Sequence, residues 1–491
     1  MNLRLGRLAA VAIVVCWAAI LGTHLWRSWS PAAVASATML DSVSPLEAAV
    51  TQRGVFYRGS RIGFVRERFL PLEHGARTEQ EGRFRLNILG QERELEIAGT
   101  ATVGTGGELE TFSFRLTTVS GRSPFETVID GRVEGNELVL NIASGGGTRT
   151  ERRRLDEPVV IPLNLHRSLA VKGMKPGQVY RVRLFDPMTL TEGEAEIKVM
   201  EPEIVHWSGR EDEAFRIQSR FAGLVTTAWI DAEGELLKEE TPLGWTLLKE
   251  APGSGLQAQG TAEAPDVLAA TAIPAIGFAG DAARLRSVRL KLNKFPLTWQ
   301  GLEGGRQRLN GDELVIEVER LPPPPSGPLS DAELEQALAA DGFVQSDDPT
   351  IMAQAARLTA GLTPPEAARA ITDWVYENVR KTPTLSVPSA REVLEQMTGD
   401  CNEHTVLFTA LARAAQIPTR ICTGLAFSAG QFYYHAWPEV WLGSWVALDP
   451  TFGQYPADPL HVRLLTGGLE QQFEILNLMG RRATIEILET E

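Results

Sequence analysis

A cysteine, a histidine and an aspartate follow one another in the C-terminal part of this chain. Cys401 lies in the run Gly-Asp-Cys-Asn-Glu-His, His435 in Tyr-His-Ala-Trp and Asp449 in Ala-Leu-Asp-Pro. Thiol chemistry on an acyl group needs these side chains. A sulfur attacks a carbonyl, an imidazole takes and returns the proton, and a carboxylate holds the imidazole in the right tautomer. The set and its order therefore indicate thiol-dependent chemistry on an acyl group.

The pattern around Cys401 predicts that it stands at the N-terminus of a helix. Residues 402–415 carry an apolar stripe at helical spacing, and Pro418 marks the break after them. The unpaired N–H groups and the macrodipole of a helix N-terminus stabilise an anion, and this setting lowers the pKa of a thiol. We expect Asp400 to cap the helix, although its negative charge opposes thiolate formation.

Three strands are predicted after this helix, over residues 419–427, 431–442 and 445–448. His435 lies within the second strand, and Asp449 closes the third. Adjacent antiparallel strands bring such residues side by side across the ladder. We expect the cysteine helix to pack against this sheet.

Several short runs in this region carry a family resemblance. They are Gly399-Asp400-Cys401, Leu411-Ala412-Arg413-Ala414, Gln416-Ile417-Pro418-Thr419-Arg420, His435-Ala436-Trp437 and Asp449-Pro450-Thr451. With them, the stretch 364–464 closely resembles the transglutaminase-like superfamily, in its bacterial membrane-anchored branch that is often described as cysteine proteases. The resemblance implies an α+β, papain-like domain.

The resemblance also implies roles for individual residues. Matched position by position, Cys401 is the nucleophile, His435 the base and Asp449 the orienting acid. Asp458 and His461 resemble a trailing segment common in this family, and we assign them no chemistry. Activities in the family include amide cross-linking, peptide hydrolysis and deglycosylation, and some members have no activity, so membership does not settle the reaction.

Five further residues are predicted neighbours of the site: Asp400, Asn402, His404, Trp437 and Glu439. His404 lies on the same helical face as Cys401 and either assists the thiolate or serves in capping and packing. Glu439 lies on the same strand face as His435, where it could support that ring. Trp437 either packs in the core or lines a substrate-binding wall.

Three other readings of Cys401 remain open. It could be a buried structural thiol, it could pair with Cys422 in a disulfide, or it could bind a metal together with His404 and His435. The sequence offers no evident fourth metal ligand and no calcium or phosphate loop. We therefore predict no metal and no cofactor.

Composition limits the class of protein. The chain has 491 residues, of which 43% are hydrophobic and 22% charged, and a net charge of −14. Several folded domains are expected at this length. The acidic balance and the lack of a long basic run argue against a nucleic-acid partner. Three cysteines do not form a disulfide framework.

The N-terminal segment predicts a membrane anchor. Residues 8–26 are almost entirely apolar and long enough for a helix to cross the hydrocarbon core. Arg4 and Arg7 precede them and place the N-terminus in the cytoplasm. This predicts a single-pass protein of the inner (cytoplasmic) membrane with its C-terminal domains extracytoplasmic, in the periplasm. A cleavable signal peptide ending near the run 35–37 is the alternative.

The rest of the chain divides into predicted domains. Strand-like segments with turn signals fill the region before a run of four prolines, and helical signals begin after that run. The predicted ranges are 1–30 for the stub and anchor, 31–48 for a linker, 49–160 and 161–320 for two antiparallel all-β domains, 321–329 for a proline-rich linker and 330–491 for the α+β transglutaminase-like domain.

Two functions are compatible with these features. The first is thiol-dependent acyl transfer or amide hydrolysis on extracytoplasmic peptide or protein substrates, through a thioester. The second is a non-enzymatic role in envelope assembly, in which the β domains bind an envelope protein and the C-terminal module is a docking surface. The presence of Cys401, His435 and Asp449 together favours the enzyme.

Overall fold

The computed structural model describes most of the chain from residue 47 onward. The residues it does not describe are 1–46, 89–90, 120–124, 145–146, 172–173, 188–189, 222–223, 242–243, 252–271, 278–279, 324–326, 383–388, 468–474, 476–477 and 479–482. In the described part, no helix has the length and apolar character needed to cross a membrane. The predicted anchor at residues 8–26 lies outside the described residues and stays a prediction.

Most of the N-terminal half forms one antiparallel sheet of 14 strands. Its strands are β1 (Ala49–Tyr57), β2 (Ser60–Leu72), β3 (Gly75–Ile88), β4 (Gln91–Val103), β5 (Leu109–Val119), β6 (Phe125–Glu134), β7 (Glu137–Ser144), β8 (Gly147–Arg154), β9 (Val179–Asp186), β10 (Thr191–Trp207), β11 (Arg210–Phe221), β12 (Leu224–Ile230), β13 (Leu236–Glu240) and β14 (Trp245–Glu250). Strands β1 to β8 and β9 to β14 each follow one another as neighbours, and β1 pairs with β14 where the two series meet.

The segment after β8 leads to β9, the other edge strand of this sheet. Val160 forms a parallel bridge with Leu184 of β9. Helix α1 (Pro162–Val171) follows, and the guanidinium carbon of Arg167 lies 4.5 Å from the ring centroid of Phe69 on β2. Leu165 and Leu169 of this helix are buried in one cluster with residues of β9, β10 and β11, so the helix packs against these strands.

A second sheet of nine strands contains the predicted site. Its strands are β15 (Ile273–Ile276), β16 (Ser287–Asn293), β17 (Gln307–Asn310), β18 (Glu313–Glu317), β21 (Thr419–Ser428), β22 (Gln431–Trp441), β23 (Trp445–Ala447), β24 (His461–Gly467) and β25 (Thr484–Thr490). The order is β17-β18-β16-β25-β15-β22-β21-β24, with β23 beside β22. A short parallel pair, β19 (Arg380–Lys381) and β20 (Thr398–Gly399), stands apart from it.

This pairing groups the strands differently from the predicted domain ranges. Strands on both sides of residue 160 lie in the first sheet, and β15 to β18, from the predicted range 161–320, pair with strands of the C-terminal region. The proline-rich segment 321–329 thus connects two parts of the second sheet. Residue patterns identify strands through their period of two, but the choice of hydrogen-bonded partners is not local.

Helices cover the region between the proline-rich segment and the site. They are α2 (Asp331–Leu338), α3 (Pro349–Thr359), α4 (Pro364–Asn378), α5 (Ala390–Gln396) and α6 (Cys401–Ala414), and two short 3₁₀ turns occur earlier, at Ala282–Arg284 and Gln300–Leu302. Helix α4 begins at a capping box, in which the Thr363 N–H donates to the Glu366 carboxylate at 2.9 Å. Helix α6 is buried over most of its length and packs against α3, α4, α5 and β22.

Candidate active site

A cap fixes the N-terminus of α6, as the sequence predicted. The Asp400 carboxylate accepts a hydrogen bond from the Asn402 N–H at 2.9 Å, and the Glu403 carboxylate accepts one from the Asp400 N–H at 2.6 Å. Residue 399 must be glycine here, because a Cβ on Gly399 would lie 2.2 Å from the Glu403 side chain. These contacts hold Cys401 at the first position of the helix.

The sulfur of Cys401 faces strand β22. The backbone N–H of Ala436 donates a hydrogen bond to this sulfur. One turn further along α6, the Thr405 hydroxyl donates to the Ala436 carbonyl oxygen at 2.9 Å. Because Ala436 directly follows His435, the Cys401 sulfur lies against the part of the strand that carries the predicted base.

The structure corrects the expectation that the helix lowers the pKa of Cys401. Burial raises this pKa well above the ordinary thiol value, and the negative charges of Asp400, Glu403 and Asp449 raise it further. The hydrogen bond from the Ala436 N–H acts in the opposite direction and does not outweigh them. The site at rest therefore holds a neutral thiol, which needs a base to ionise.

His435 is fixed by a carboxylate and by an aromatic ring. Its Nε2 lies 2.8 Å from the Asp449 carboxylate, and both side chains are buried. The ring stacks on Phe452 with 4.7 Å between centroids and 6° between planes. An ionised carboxylate can only accept, so the neutral imidazole carries its proton on Nε2. The lone pair on Nδ1 is then the group that can take the proton of Cys401.

Asp449 lies just beyond the end of the strand ladder rather than within it. The β22–β23 pairing ends at Glu439 and Ala447. The other carboxylate oxygen of Asp449 accepts hydrogen bonds from the N–H groups of Thr451 at 2.7 Å and Phe452 at 2.9 Å. The chain therefore turns around this carboxylate after the strand. This turn orients the remaining oxygen of Asp449 toward His435.

The charge of Asp449 is stabilised although the residue is fully buried. Burial by itself raises the pKa of a carboxyl group, but the electrostatic interaction and hydrogen bond with His435, together with those with His461, lower the pKa of Asp449 far below its ordinary value. The carboxylate is thus ionised throughout the neutral range. A fixed negative charge next to His435 is what an orienting acid provides.

His461 and Asp458, to which no chemistry was assigned from the sequence, both join this cluster. His461 Nε2 lies 2.9 Å from the Asp449 carboxylate, and its Nδ1 lies 3.0 Å from the Asp458 carboxylate. Burial lowers the pKa of His461, but hydrogen bonds to the two carboxylates raise it overall, to about 9. A histidine three residues after an aspartate was the available signal, but the sequence does not show where its ring points.

Two predicted neighbours make local contacts. The Asn402 side-chain oxygen accepts a hydrogen bond from the Tyr434 hydroxyl at 3.0 Å. His404 is fully buried, with Nδ1 2.6 Å from the Asp400 carbonyl oxygen and Nε2 3.3 Å from that of Val379. Both nitrogens of His404 therefore face backbone oxygens, which supports a role of this residue in capping and packing.

Tyr434 also lies close to the site, although no motif in the sequence marked it. Burial raises its pKa well above the ordinary phenol value, and the nearby negative charges of Asp400 and Glu403 raise it further. The hydroxyl therefore stays protonated and available as a donor.

The two other predicted neighbours belong to the core beneath the site. Glu439 is buried, and its carboxylate accepts hydrogen bonds at 2.8 Å from Arg420 and from Arg463. Trp437 is fully buried in a cluster with Cys422. Glu439 therefore anchors the sheet through an ion-pair network, and Trp437 packs in the core instead of lining a substrate wall.

The same geometry bears on two alternatives, a Cys401–Cys422 disulfide and a metal site. Cys401 and Cys422 are both free thiols. Among the described residues, one group could hold a metal ion, with ligand atoms of His435, Asp449 and His461 all within 4.8 Å of one another. A metal on Nε2 of His435 would leave the proton on Nδ1 and remove the base for Cys401. Hydrogen bonds account for the same distances, so we interpret the group as a hydrogen-bonded cluster.

Comparison with known proteins gives a family match for part of the chain. Residues 353–450 match the family model described as Transglutaminase-like superfamily. No curated protein matches the chain.

Solved structures also show similarity to this chain. One is a "Putative Cysteine Protease" from Cytophaga hutchinsonii, with 19% identity over 40% of this chain and 83% of that chain and a TM-score of 0.28. Another is a "Putative Protease" from Parabacteroides distasonis, with 10% identity over 69% of this chain and 63% of that chain and a TM-score of 0.20. A DUF1089 family protein from Pseudomonas aeruginosa shows 12% identity over 35% and 87% of the two chains and a TM-score of 0.23.

These structural similarities are too low to carry an argument, so the family match stands on its own. It includes the cysteine, the histidine and the aspartate whose geometry is described above. Over residues 353–450, the chain is therefore similar to the transglutaminase-like superfamily.

Proposed function

We propose that this protein is a thiol-dependent enzyme that transfers acyl groups from, or hydrolyses, amides of extracytoplasmic peptide or protein substrates. One observation carries the proposal. The sulfur of Cys401 accepts a hydrogen bond from the residue next to His435, and the far nitrogen of His435 is held 2.8 Å from the buried carboxylate of Asp449. A thiol, a base and an orienting acid in this relation are what thioester chemistry requires.

The first half of the reaction forms a thioester. As the Cys401 sulfur attacks the amide carbonyl carbon, Nδ1 of His435 takes the thiol proton and the carbonyl electrons move onto oxygen. The Cys401 backbone N–H is the first donor to this oxyanion. The oxyanion then collapses, the carbon–nitrogen bond breaks, and His435 returns the proton to the departing nitrogen. Ammonia or an amine leaves, and an acyl group remains on sulfur.

The second half of the reaction releases the acyl group. Nδ1 of His435 takes a proton from water or from a second amine, which attacks the thioester carbonyl carbon. The carbon–sulfur bond breaks, and the proton returns to Cys401. Water gives hydrolysis and an amine gives cross-linking, so the acceptor decides between the two outcomes.

The raised pKa of Cys401 supports a base that acts during the attack. A neutral thiol does not attack an amide, and burial keeps this thiol neutral at rest. Transfer of its proton to His435 produces an imidazolium beside Asp449, which offsets the cost of forming the thiolate. The buried ion pair would then exist mainly during the reaction.

The same proposal includes a location and partners. The apolar segment 8–26 would anchor the chain in the inner membrane by a single pass, with the described domains in the periplasm. The sheet of 14 strands would offer a surface to an envelope protein. A net charge of −14 supports the prediction that nucleic acid is not a partner.

Trapping the acyl-enzyme tests the proposal. The full chain is incubated with envelope extract, acid-quenched and digested, and the peptide that contains Cys401 is searched by mass spectrometry for an added acyl group. Hydroxylamine in a parallel sample should remove this group as a hydroxamate, because it cleaves thioesters. We expect the adduct in the wild type and in Cys422→Ala, which lacks the other described thiol, and not in Cys401→Ala.

Two results would reject the enzyme. One is a Cys401→Ala protein that still turns over the substrate found by trapping. The other is the absence of any acyl group on the wild-type thiol, which would favour the non-enzymatic envelope role.

A further inference from the structure

His461 lies against the predicted triad with both ring nitrogens occupied. It begins β24 and is 1% exposed. Its Nε2 faces Asp449 at 2.9 Å and its Nδ1 faces Asp458 at 3.0 Å. A neutral imidazole has one N–H and can donate to only one of two carboxylates. Both contacts are hydrogen bonds only when the ring is an imidazolium or when one carboxyl group carries a proton.

Asp458 is held in a way that favours its ionised form. One carboxylate oxygen accepts from the Leu460 N–H at 2.9 Å, and the other accepts from the Gln454 amide at 2.8 Å. Together with His461, three hydrogen-bond donors face this carboxylate. Such an environment stabilises the ionised form of the carboxyl group. Its pKa is lowered, since these hydrogen bonds and the charge of His461 outweigh burial. Asp449 likewise accepts hydrogen bonds from four donors. Both carboxyl groups are therefore ionised, and the second ring proton lies on His461.

We infer that His461 is a positioning residue: a buried imidazolium that bridges Asp449 and Asp458 and holds the Asp449 carboxylate in line with Nε2 of His435. This inference rests on the proposed function for its catalytic consequence, but the charge state of the ring can be measured without a substrate. The bridge extends the predicted triad by two residues, both outside the matched segment 353–450.

The charged ring lies close to His435. The two histidine rings lie 5.5 Å apart, and Asp449 and Asp458 are the charged side chains that His461 contacts. A change in the charge or position of His461 therefore acts on His435 through the Asp449 carboxylate that both rings share.

An arginine from an earlier part of the chain supports the bridge. The Arg306 guanidinium donates to the carbonyl oxygens of Ala457 and Asp458, both at 2.8 Å. Arg306 lies just before β17 and is 5% exposed. The segment before the proline-rich run therefore fixes the backbone from which the Asp458 carboxylate projects.

Nitrogen NMR of the seven histidines tests the charge state. In the full chain labelled with ¹⁵N-histidine, we expect one ring to stay protonated on both nitrogens from pH 6 to about pH 9. This signal should be missing in His461→Gln. In Asp458→Asn, which keeps the shape of the side chain, the same signal should lose its second proton at a pH lower by one unit or more. His206→Gln, at an exposed histidine, is the control and should leave the signal unchanged.

The NMR result decides the inference even if one variant fails to fold. If His461→Gln is unfolded by circular dichroism, the shift in Asp458→Asn carries the test, with the signal assigned by its persistence above pH 7.5. A His461 ring with a single proton at pH 7.5 would overturn the inference. So would a protonation midpoint that does not move in Asp458→Asn.

The reaction provides the second readout. With the acyl donor found by trapping, the wild-type rate should fall above about pH 9, where the His461 ring loses its second proton, and this fall should be missing in His461→Gln. A purely structural role would lower the rate at every pH and leave the fall above pH 9 in place. If the wild type forms no acyl-enzyme while the doubly protonated ring is observed, the proposed function fails and the bridge stands.

Discussion

The substitution Asp449→Asn replaces one buried carboxylate oxygen by an NH2 group and keeps the shape of the side chain. One oxygen must stay an acceptor, because the N–H groups of Thr451 and Phe452 donate to it at 2.7 and 2.9 Å. The new NH2 group therefore takes the position that faces His435, where the wild type has an acceptor at 2.8 Å from Nε2. The substitution thus changes a hydrogen-bond direction and a charge in one place.

The expected loss of activity follows from this reversal. Nε2 of His435 has to accept from the amide, so the ring carries its proton on Nδ1 and can no longer take the proton of Cys401. Loss of the correct tautomer through such an exchange costs a factor of roughly 10⁴ in rate in serine proteases with a comparable triad. We expect a decrease of about 10⁴ in the rate of acyl-enzyme formation.

The same substitution has a separate cost in stability. His461 loses one of its two carboxylate partners, and removal of one partner from a buried ion pair costs about 3–5 kcal/mol. Asp458 still faces the ring, at 3.0 Å. We therefore expect a decrease at the lower end, about 3 kcal/mol in the free energy of unfolding. This loss is present without substrate, so it can be measured apart from the loss in rate.

Three measurements on one preparation test these expectations. ¹⁵N NMR gives the tautomer of His435, mass spectrometry follows acyl-enzyme formation, and thermal unfolding gives the change in stability. Asp373→Asn, at a half-exposed aspartate paired with Arg369 on α4, is the matched control and should change none of the three. An Asp449→Asn protein with a rate within tenfold of the wild type, or with His435 still protonated on Nε2, would refute the reasoning.

Two further predictions concern charges buried near the site. Burial raises the pKa of Glu439, but Arg463 and Arg420 lower it overall to about 2, which corresponds to about 3 kcal/mol of stability that is present above pH 4.5 and is lost as the pH falls toward 2. We expect Glu439→Gln to lower the unfolding free energy by about this amount at pH 7, and denaturation curves should show the difference from wild type shrinking below pH 4.5; an equal difference at pH 3 would contradict this. The raised pKa of Cys401 predicts slow alkylation by iodoacetamide at pH 7, with a rate that rises about tenfold per pH unit up to pH 9, as followed by mass spectrometry. A plateau between pH 6 and 7 would instead indicate a resting thiolate.

Local patterns were sufficient for the elements of the site. The apolar stripe and the capping residues predicted the helix that begins at Cys401, and Asp400 caps it. Period-two patterns predicted the strands that became β21, β22 and β23. These features depend on contacts between residues a few positions apart, and such contacts can be read from the sequence.

The state of the thiol could not be predicted in this way. The sequence placed Cys401 at a helix N-terminus and favoured a lowered pKa, whereas in the structure desolvation and three nearby carboxylates raise the pKa of this half-buried residue. Desolvation depends on every group that surrounds the sulfur, and Asp449 reaches it from a loop far along the chain. A local motif therefore gives the position of the nucleophile and not its charge.

The amino-acid sequence determined which side chains could take part in the chemistry of the site, because chemical type and local spacing are properties of the chain. Tertiary structure alone decided that the loop after β23 turns the Asp449 carboxylate toward His435, that His461 closes the cluster from β24, and that β15 to β18 complete the same sheet. The physical reason is that burial, strand partners and the direction of a side chain result from contacts across the whole fold, and no short stretch of sequence contains them.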